Sequence, residues 1–219
     1  MDRERAGTGY LAIPASGEGP GILVLHAWWG LNPFFKATCD RLAVEGFVAL
    51  APDLLGGQVA TTIDEAEAQL AGANADELAH LTRSSVQTLR EMPLTPDGPV
   101  GVLGFSMGAS MALWVSARVP EEVIATAVFY GAQDIDFTGS RSAYLGHFAE
   151  NDPYVDDDSV ALLEAELHLD ELAVTFHRYP GTQHWFFEHD RPEHHEAAAQ
   201  LAWDRTLAFF RERLPAVEA

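Results

Sequence analysis

The sequence is poor in cysteine, in lysine and in long hydrophobic runs, and each shortage excludes a class of protein. Cys39 is the only cysteine among the 219 residues, so the chain forms no intramolecular disulfide and no zinc site built from several cysteines. Lys36 is the only lysine, and 13 basic residues oppose 33 acidic ones, which gives a formal net charge of −20. Because this charge repels phosphate backbones, we expect no nucleic-acid partner.

Apolar runs in the chain are short, far below the roughly 20 residues that a membrane-spanning helix needs. The first nine residues mix acidic and basic side chains and lack the apolar stretch of a secretory signal. We therefore expect no membrane partner and a cytoplasmic location.

The remaining composition, 47% hydrophobic and 21% charged, is that of a globular protein, and the length predicts one domain over residues 1–219. Short β-rich runs alternate with segments of helical periodicity, which predicts an α/β fold with a mostly parallel sheet and helices on both faces. We predict strands at residues 10–13, 21–26, 47–51, 100–104, 124–130, 142–148 and 173–179. Helices are predicted from Asn32-Pro33 to Gly46, over 64–92 with a break near Gly72, and over 107–118, 160–170 and 192–214.

A serine lies between the predicted strand 100–104 and the helix that follows it, in the sequence Gly104-Phe-Ser106-Met-Gly108. This G-x-S-x-G pattern is typical of a nucleophile elbow, where a sharp turn raises the serine hydroxyl above the carboxyl edge of the sheet. Glycines two residues to either side remove side chains that would collide in such a turn. The following amide, Met107 N–H, then lies at a helix N-terminus and can donate to a developing oxyanion.

A serine nucleophile needs a base to take its proton and an acid to orient that base. With this elbow the acid and then the base follow the serine along the chain, each after a later strand. Asp152 and His184 come after the last two predicted strands in that order. Other residues near them could take the same roles: Glu150, Asp156, Asp157 and Asp158 as the acid, and His177, His189, His194 and His195 as the base.

A second oxyanion donor usually comes from the loop after an earlier strand, and residues 25–32 are placed to supply it. Aromatic residues crowd the predicted strand ends, and we expect some of Trp28, Trp29, Trp185 and Phe186 to line a substrate pocket rather than the core. Histidines and glutamates between 184 and 196 could instead bind a metal, but their spacing matches no standard ligand motif. We expect neither a metal nor a cofactor.

Over residues 9–210 the chain resembles the dienelactone hydrolases, a family of the α/β-hydrolase fold. Because the core fold would use nearly all of the 219 residues, we expect no large cap domain. The resemblance rests on Gly9-Tyr-Leu-Ala-Ile-Pro, Trp28-Trp-Gly-Leu-Asn, Asp40-Arg-Leu-Ala-Val-Glu-Gly-Phe, the elbow, Asp152-Pro-Tyr-Val, Tyr179-Pro-Gly, His184-Trp-Phe and Ala202-Trp-Asp-Arg-Thr-Leu-Ala-Phe-Phe. It implies hydrolysis of small esters or lactones by Ser106, His184 and Asp152, with the Trp28 and Met107 amides as the oxyanion hole.

Three positions depart from the founding enzyme of that family. Ser106 replaces its cysteine nucleophile, Ala27 replaces a glutamate that helps to control the thiol, and Glu188 stands where an arginine binds the substrate carboxylate. An acidic Glu188 would repel an anionic substrate, so the sequence favours a neutral ester.

The leading hypothesis is therefore a serine esterase that acts on a small-molecule ester or lactone, as a monomer or a small homo-oligomer. An acyltransferase or perhydrolase would use the same three residues with an acceptor other than water. A binding module that has lost its activity is the third alternative.

Overall fold

The computed structural model describes residues 9–215, in which strands and helices alternate along the chain. The strands are β1 (Tyr10–Ala12), β2 (Gly21–Leu25), β3 (Val48–Ala51), β4 (Val100–Phe105), β5 (Val123–Phe129), β6 (Ala143–Asn151) and β7 (Val174–Gln183). The helices are α1 (Pro33–Val44), α2 (Ile63–Gly72), α3 (Ala75–Arg90), α4 (Met107–Arg118), α5 (Asp157–Leu169) and α6 (Glu196–Arg213). No helix in this part of the chain is both long and apolar enough to cross a membrane.

The seven strands form one sheet in the order β1-β3-β2-β4-β5-β6-β7, in which only β1 is antiparallel to its neighbour. From β2 the chain adds β3 on one side and then returns to add β4 on the other. Neighbouring connections diverge at such a switch point and leave a crevice at the carboxyl ends of the strands. The loops after β2 and β4 therefore border one crevice.

The two faces of the sheet bury separate hydrophobic clusters. On one face α1 and α6 pack on the strands through residues such as Phe35, Leu42 and Phe210. On the other face α3, α4 and α5 pack through residues such as Val86 and Leu113. The strands are buried from both sides, which accounts for their nearly continuous apolar sequences.

The predicted α/β-hydrolase architecture is confirmed, with the predicted strands in place and no large cap. The predicted break near Gly72 separates α2 from α3, and α1 begins at Pro33 behind a capping side chain on Asn32. Two boundaries differ from the prediction by four residues. β7 continues past residue 179 to Gln183, and α6 begins at Glu196, behind the capping side chain of His195. The charge pattern of residues 1–8 lies outside the described residues.

Candidate active site

Ser106 occupies the sharp turn between β4 and α4 and has backbone angles φ 50° and ψ −112°. The two glycines of its motif are required by close backbone contacts. A Cβ atom at Gly104 would collide with the carbonyl oxygen of Gly108, and one at Gly108 would collide with the carbonyl oxygen of Leu25. The turn thus brings the start of α4 against the end of β2, and the hydroxyl projects over the carboxyl edge of the sheet.

A chain of hydrogen bonds connects Ser106 to His184 and Asp152. Ser106 Oγ lies 3.0 Å from His184 Nε2, and His184 Nδ1 lies 2.7 Å from Asp152 Oδ2 and 2.9 Å from Oδ1. The His184 and Asp152 side chains are 2% and 4% exposed. Because Asp152 Oδ1 also accepts the amide protons of Tyr154 and Val155, the carboxylate is held in one orientation towards the imidazole.

The alternative acids and bases make other contacts. Glu150 accepts a hydrogen bond from Gly181 N–H, and Asp156 caps α5. His177 stacks against His147 at 5.9 Å, and His195 accepts the amide proton of Ala198 at the start of α6. His189 and His194 contact Phe34 and Glu196. The hydrogen-bonded chain to Ser106 includes none of these side chains. The described residues also contain no group of three or more histidine, cysteine, aspartate or glutamate side chains that could hold a metal ion.

Two tyrosines enclose the imidazole of His184, and the sequence did not assign either of them. The rings of Tyr130 and Tyr154 lie 4.8 and 4.9 Å from that of His184. Tyr130, Ser106 and Trp185 are three of the four non-glycine residues in the described range with positive φ. Such strain concentrates at functional sites. Tyr154 could have been found from its place two residues after Asp152.

A cleft of about 450 Å³ opens over Ser106, within the size range of sites for small molecules. Its far wall comes from α2 and α3, and Gln69 of α2 donates a hydrogen bond to the carbonyl of Trp28 at 3.2 Å. None of the lining residues carries a formal charge: Trp28, Leu70, Ala73, Ala75, Leu78, Ser106, Met107, Ser110, Met111, Gln133 and Tyr154.

Of the four aromatic residues proposed for the pocket, Trp28 lines the cleft, and the other three do not. Trp29 and Trp185 are buried against each other with ring centroids 5.1 Å apart, and the Arg191 guanidinium covers Trp29. Phe186 is fully buried beside Tyr130 and Tyr179. All three residues pack inward, in the loops that follow β2 and β7.

The amides proposed for the oxyanion hole belong to residues that line the cleft with Ser106. Met107 is the first residue of α4, where an N–H group has no partner within the helix. Among residues 9–215, neither the Met107 amide nor the Trp28 amide donates to a protein acceptor. Both N–H groups are therefore free to bind an oxygen atom of a substrate.

Glu188 does not face the cleft, contrary to the expectation that its charge would repel an anionic substrate there. Its side chain is fully buried and accepts a 2.7 Å hydrogen bond from the Tyr130 hydroxyl. Burial raises the pKa of Glu188 to about 8, so the group is mostly protonated at neutral pH. The expectation of a neutral substrate rests instead on the cleft lining described above, in which no residue carries a formal charge.

Comparison with known proteins identifies the family. The profile described as "Dienelactone hydrolase family" matches residues 8–214. The chain belongs to the dienelactone hydrolase family. It is therefore a hydrolase of carboxylic esters, the class that includes lactones.

The similarity to known relatives extends over nearly the whole chain. Protein usf of Aquifex pyrophilus is 34% identical over 216 residues, which cover 94% of this chain and 93% of that protein. Two solved structures share the fold at lower identity. A dienelactone hydrolase-like promiscuous phosphotriesterase from metagenomic libraries has a TM-score of 0.81 at 21% identity and covers 96% of this chain and 100% of its own. Dienelactone hydrolase from Anabaena variabilis has a TM-score of 0.72 at 23% identity, with 95% and 93% covered.

Proposed function

We propose that this protein hydrolyses small neutral esters or lactones through an acyl-enzyme, with Ser106 as nucleophile, His184 as general base and Asp152 as the acid that orients the base. The observation that carries the proposal is the continuous hydrogen-bonded chain from Ser106 Oγ through both nitrogens of His184 to Asp152. The chain ends at the floor of a cleft that no charged residue lines.

In the acylation step, Ser106 Oγ attacks the carbonyl carbon of the ester while its proton passes to His184 Nε2. The carbonyl oxygen becomes an oxyanion, which the amide protons of Trp28 and Met107 stabilise. The C–O bond of the ester then breaks, and the alcohol leaves with the proton from His184. Asp152 stabilises the imidazolium that exists between the two proton transfers.

In the deacylation step, His184 Nε2 takes a proton from a water molecule, whose oxygen attacks the acyl carbon. Collapse of the second tetrahedral intermediate releases the carboxylic acid and returns the proton to Ser106. Both steps use one imidazole nitrogen, His184 Nε2, which exchanges protons with Ser106, the leaving alcohol and water.

The residues that line the cleft also indicate which class of substrate it binds. Leu70, Leu78, Met107 and Met111 offer apolar contact area, whereas Gln133 and Ser110 offer neutral hydrogen-bonding groups. A substrate carboxylate would lose its hydration there without gaining a cationic partner, which is costly. We therefore propose an uncharged substrate with an apolar acyl or alcohol group.

Replacement of Ser106 tests the nucleophile. We expect Ser106→Ala to lower kcat on a short-chain aryl ester by about 10³-fold or more, because the three residues act as a unit. A fluorophosphonate probe should label the wild-type protein at Ser106, as located by mass spectrometry of its peptides. A folded Ser106→Ala variant with near-normal turnover would refute the assignment.

A paired substrate panel tests the class. Esters that differ only in a terminal methyl group or carboxylate should show a strong preference for the uncharged member in kcat/KM. Equal values for the two members would contradict the proposal of a neutral substrate. Competing alcohols added to the same assay distinguish hydrolysis from acyl transfer. If the protein is a hydrolase, we expect the free acid to remain the main product.

A further inference from the structure

His26 follows β2 and is completely buried, 0% exposed, behind the loop that carries Trp28. Both of its ring nitrogens have backbone partners. Nδ1 lies 2.7 Å from the carbonyl oxygen of Ala27, and Nε2 lies 3.0 Å from the amide nitrogen of Leu54. The reaction proposed above makes no use of this imidazole.

The partners of His26 determine which nitrogen carries its proton. The Leu54 amide can only donate, so Nε2 must accept, and the neutral ring must then carry its hydrogen on Nδ1. That hydrogen points at the Ala27 carbonyl oxygen. Burial, the largest cause, lowers the pKa of His26 to about 4, which keeps the ring neutral, with its hydrogen on Nδ1, at ordinary pH.

The Ala27 carbonyl belongs to the same peptide unit as the Trp28 N–H. Because a trans peptide is planar, its C=O and N–H point in opposite directions, so a group that holds one aims the other. Among the described residues no peptide bond is cis. The Ala27 oxygen is held twice, by His26 Nδ1–H and by the amide of Gly30 at 3.2 Å.

The rest of the loop is held against the same body of the protein. Gly30 has φ 86°, and a Cβ atom there would collide with the carbonyl oxygen of Gln58, so the turn depends on glycine. The carbonyl of Trp29 accepts the amide proton of Ala60 at 3.0 Å. The loop after β2 is therefore anchored at successive peptide units, and His26 is the only side chain among the described residues that donates to the Ala27 oxygen.

We propose that His26 is a positioning residue that aims the Trp28 amide into the oxyanion hole, by holding the opposite end of the Ala27–Trp28 peptide in a fixed hydrogen bond. This inference rests on the proposed function. His26 does not touch the substrate and transfers no proton, since its Nε2 partner is a backbone amide that does not give up its hydrogen.

Two substitutions separate the two hydrogen bonds of His26. In His26→Asn the side-chain amide can occupy the place of Nδ1 and still donate to the Ala27 oxygen. In His26→Gln the longer amide reaches the place of Nε2 and can accept from Leu54, but it leaves the Ala27 oxygen without its side-chain donor. The pair is matched in chemistry and differs in which bond it keeps.

The readout compares an ester with its thionoester, in which sulfur replaces the carbonyl oxygen. Sulfur is a weak hydrogen-bond acceptor, so the oxo/thiono rate ratio reports how well the oxyanion donors are aimed. Since removal of one such donor costs about 10²- to 10³-fold in kcat, we expect His26→Gln to lower kcat on the oxo ester by about 10- to 100-fold, with KM little changed. Its oxo/thiono ratio should fall about tenfold, while His26→Asn should keep a ratio near that of the wild type.

Two results of the comparison between the esters would overturn the inference. Equal losses on both esters in His26→Gln would show a purely structural role and overturn the inference, as would an unchanged oxo rate. If the wild-type protein neither hydrolyses the ester nor reacts with fluorophosphonate at Ser106, the proposed function fails, and the inference fails with it.

A measurement on the wild-type protein covers the case in which the glutamine variant does not fold. Nitrogen-15 shifts of the His26 ring, assigned by their loss in His26→Asn, should show the neutral form with its hydrogen on Nδ1 from pH 6 to pH 8. A ring with its hydrogen on Nε2 could not donate to the Ala27 carbonyl, and that result would overturn the inference.

Discussion

Three histidines among the described residues are buried. Two of them lie at the carboxyl edge of the sheet, and the third lies in its interior. His26 and His184 follow β2 and β7 at the edge, whereas His147 lies inside β6, covered by α6. All three rings have partners on both nitrogens. Burial and hydrogen-bond saturation therefore do not distinguish the proposed base, His184, from the other two.

The chemistry of the partners does distinguish them. His26 and His184 carry their hydrogen on the same nitrogen, Nδ1, but His26 lies between a backbone carbonyl and a backbone amide. His184 lies between a carboxylate, which can stabilise a positive ring, and a hydroxyl, which can give up its proton. Of the three, only His184 has the partners that the proposed reaction requires of its base.

His147 carries its hydrogen on the other ring nitrogen, Nε2. The Thr206 hydroxyl donates to the Ala202 carbonyl, so it accepts from His147 Nε2–H at 3.0 Å, and His147 Nδ1 then accepts from the Tyr179 hydroxyl at 2.7 Å. Burial is the largest cause that holds the pKa of His147 well below its usual range. This imidazole acts as a neutral bridge between β6, β7 and α6.

The largest effect that tests this comparison is expected at His184. His184→Ala should lower kcat by about 10³-fold or more, because the base and the nucleophile act together. Steady-state kinetics on the aryl ester used for Ser106→Ala gives the measurement. A double variant with Ser106→Ala should be little worse than either single variant, and additive losses would break the assignment of both residues to one unit.

His147→Leu should affect stability instead of chemistry. The change removes the hydrogen-bond partner of two buried hydroxyls, so we expect a loss of about 1–3 kcal/mol in the free energy of unfolding. We expect kcat to change less than about threefold, since the ring does not reach the cleft. Denaturant unfolding gives the first value. Thr206→Val is the control, since it removes the bond to His147 Nε2 and the bond to the Ala202 carbonyl but leaves the imidazole in place. A kcat loss as large as that of His184→Ala would contradict the distinction between the histidines at the edge of the sheet and the one in its interior.

The smallest effect is expected at an exposed histidine. His195 caps α6 by accepting the Ala198 amide proton at 3.2 Å, and loss of a cap costs about 0.5–2 kcal/mol of stability. His195→Ala should therefore lower the melting temperature slightly at unchanged kcat, and His195→Asn should restore it because asparagine is a good capping residue. A loss of activity that added zinc reverses would instead revive a metal role for the histidines between 184 and 196.

Some features of the fold and the site could be predicted from the sequence, and others could not. The glycines around Ser106, the presence of strands before Asp152 and His184, and the break at Gly72 were readable because each depends on local sequence and backbone geometry. The inward packing of Trp29, Trp185 and Phe186 was not readable, because an aromatic residue after a strand can turn inward or outward, and its neighbours in space decide which. The burial of Glu188 beside Tyr130 was equally out of reach, since 58 residues separate the two.

The sequence by itself determined the fold class, the order of strands and helices and the residue types of the proposed reaction, because periodicity, turn chemistry and motif spacing are local properties of the chain. Only the tertiary structure decided which histidine lies between a carboxylate and a hydroxyl, which lies between two backbone groups and which bridges two hydroxyls in the core. That choice depends on groups brought together from distant parts of the chain. Burial lowers the pKa of His26 and of His147, and that burial comes from tertiary packing and not from their place in the sequence.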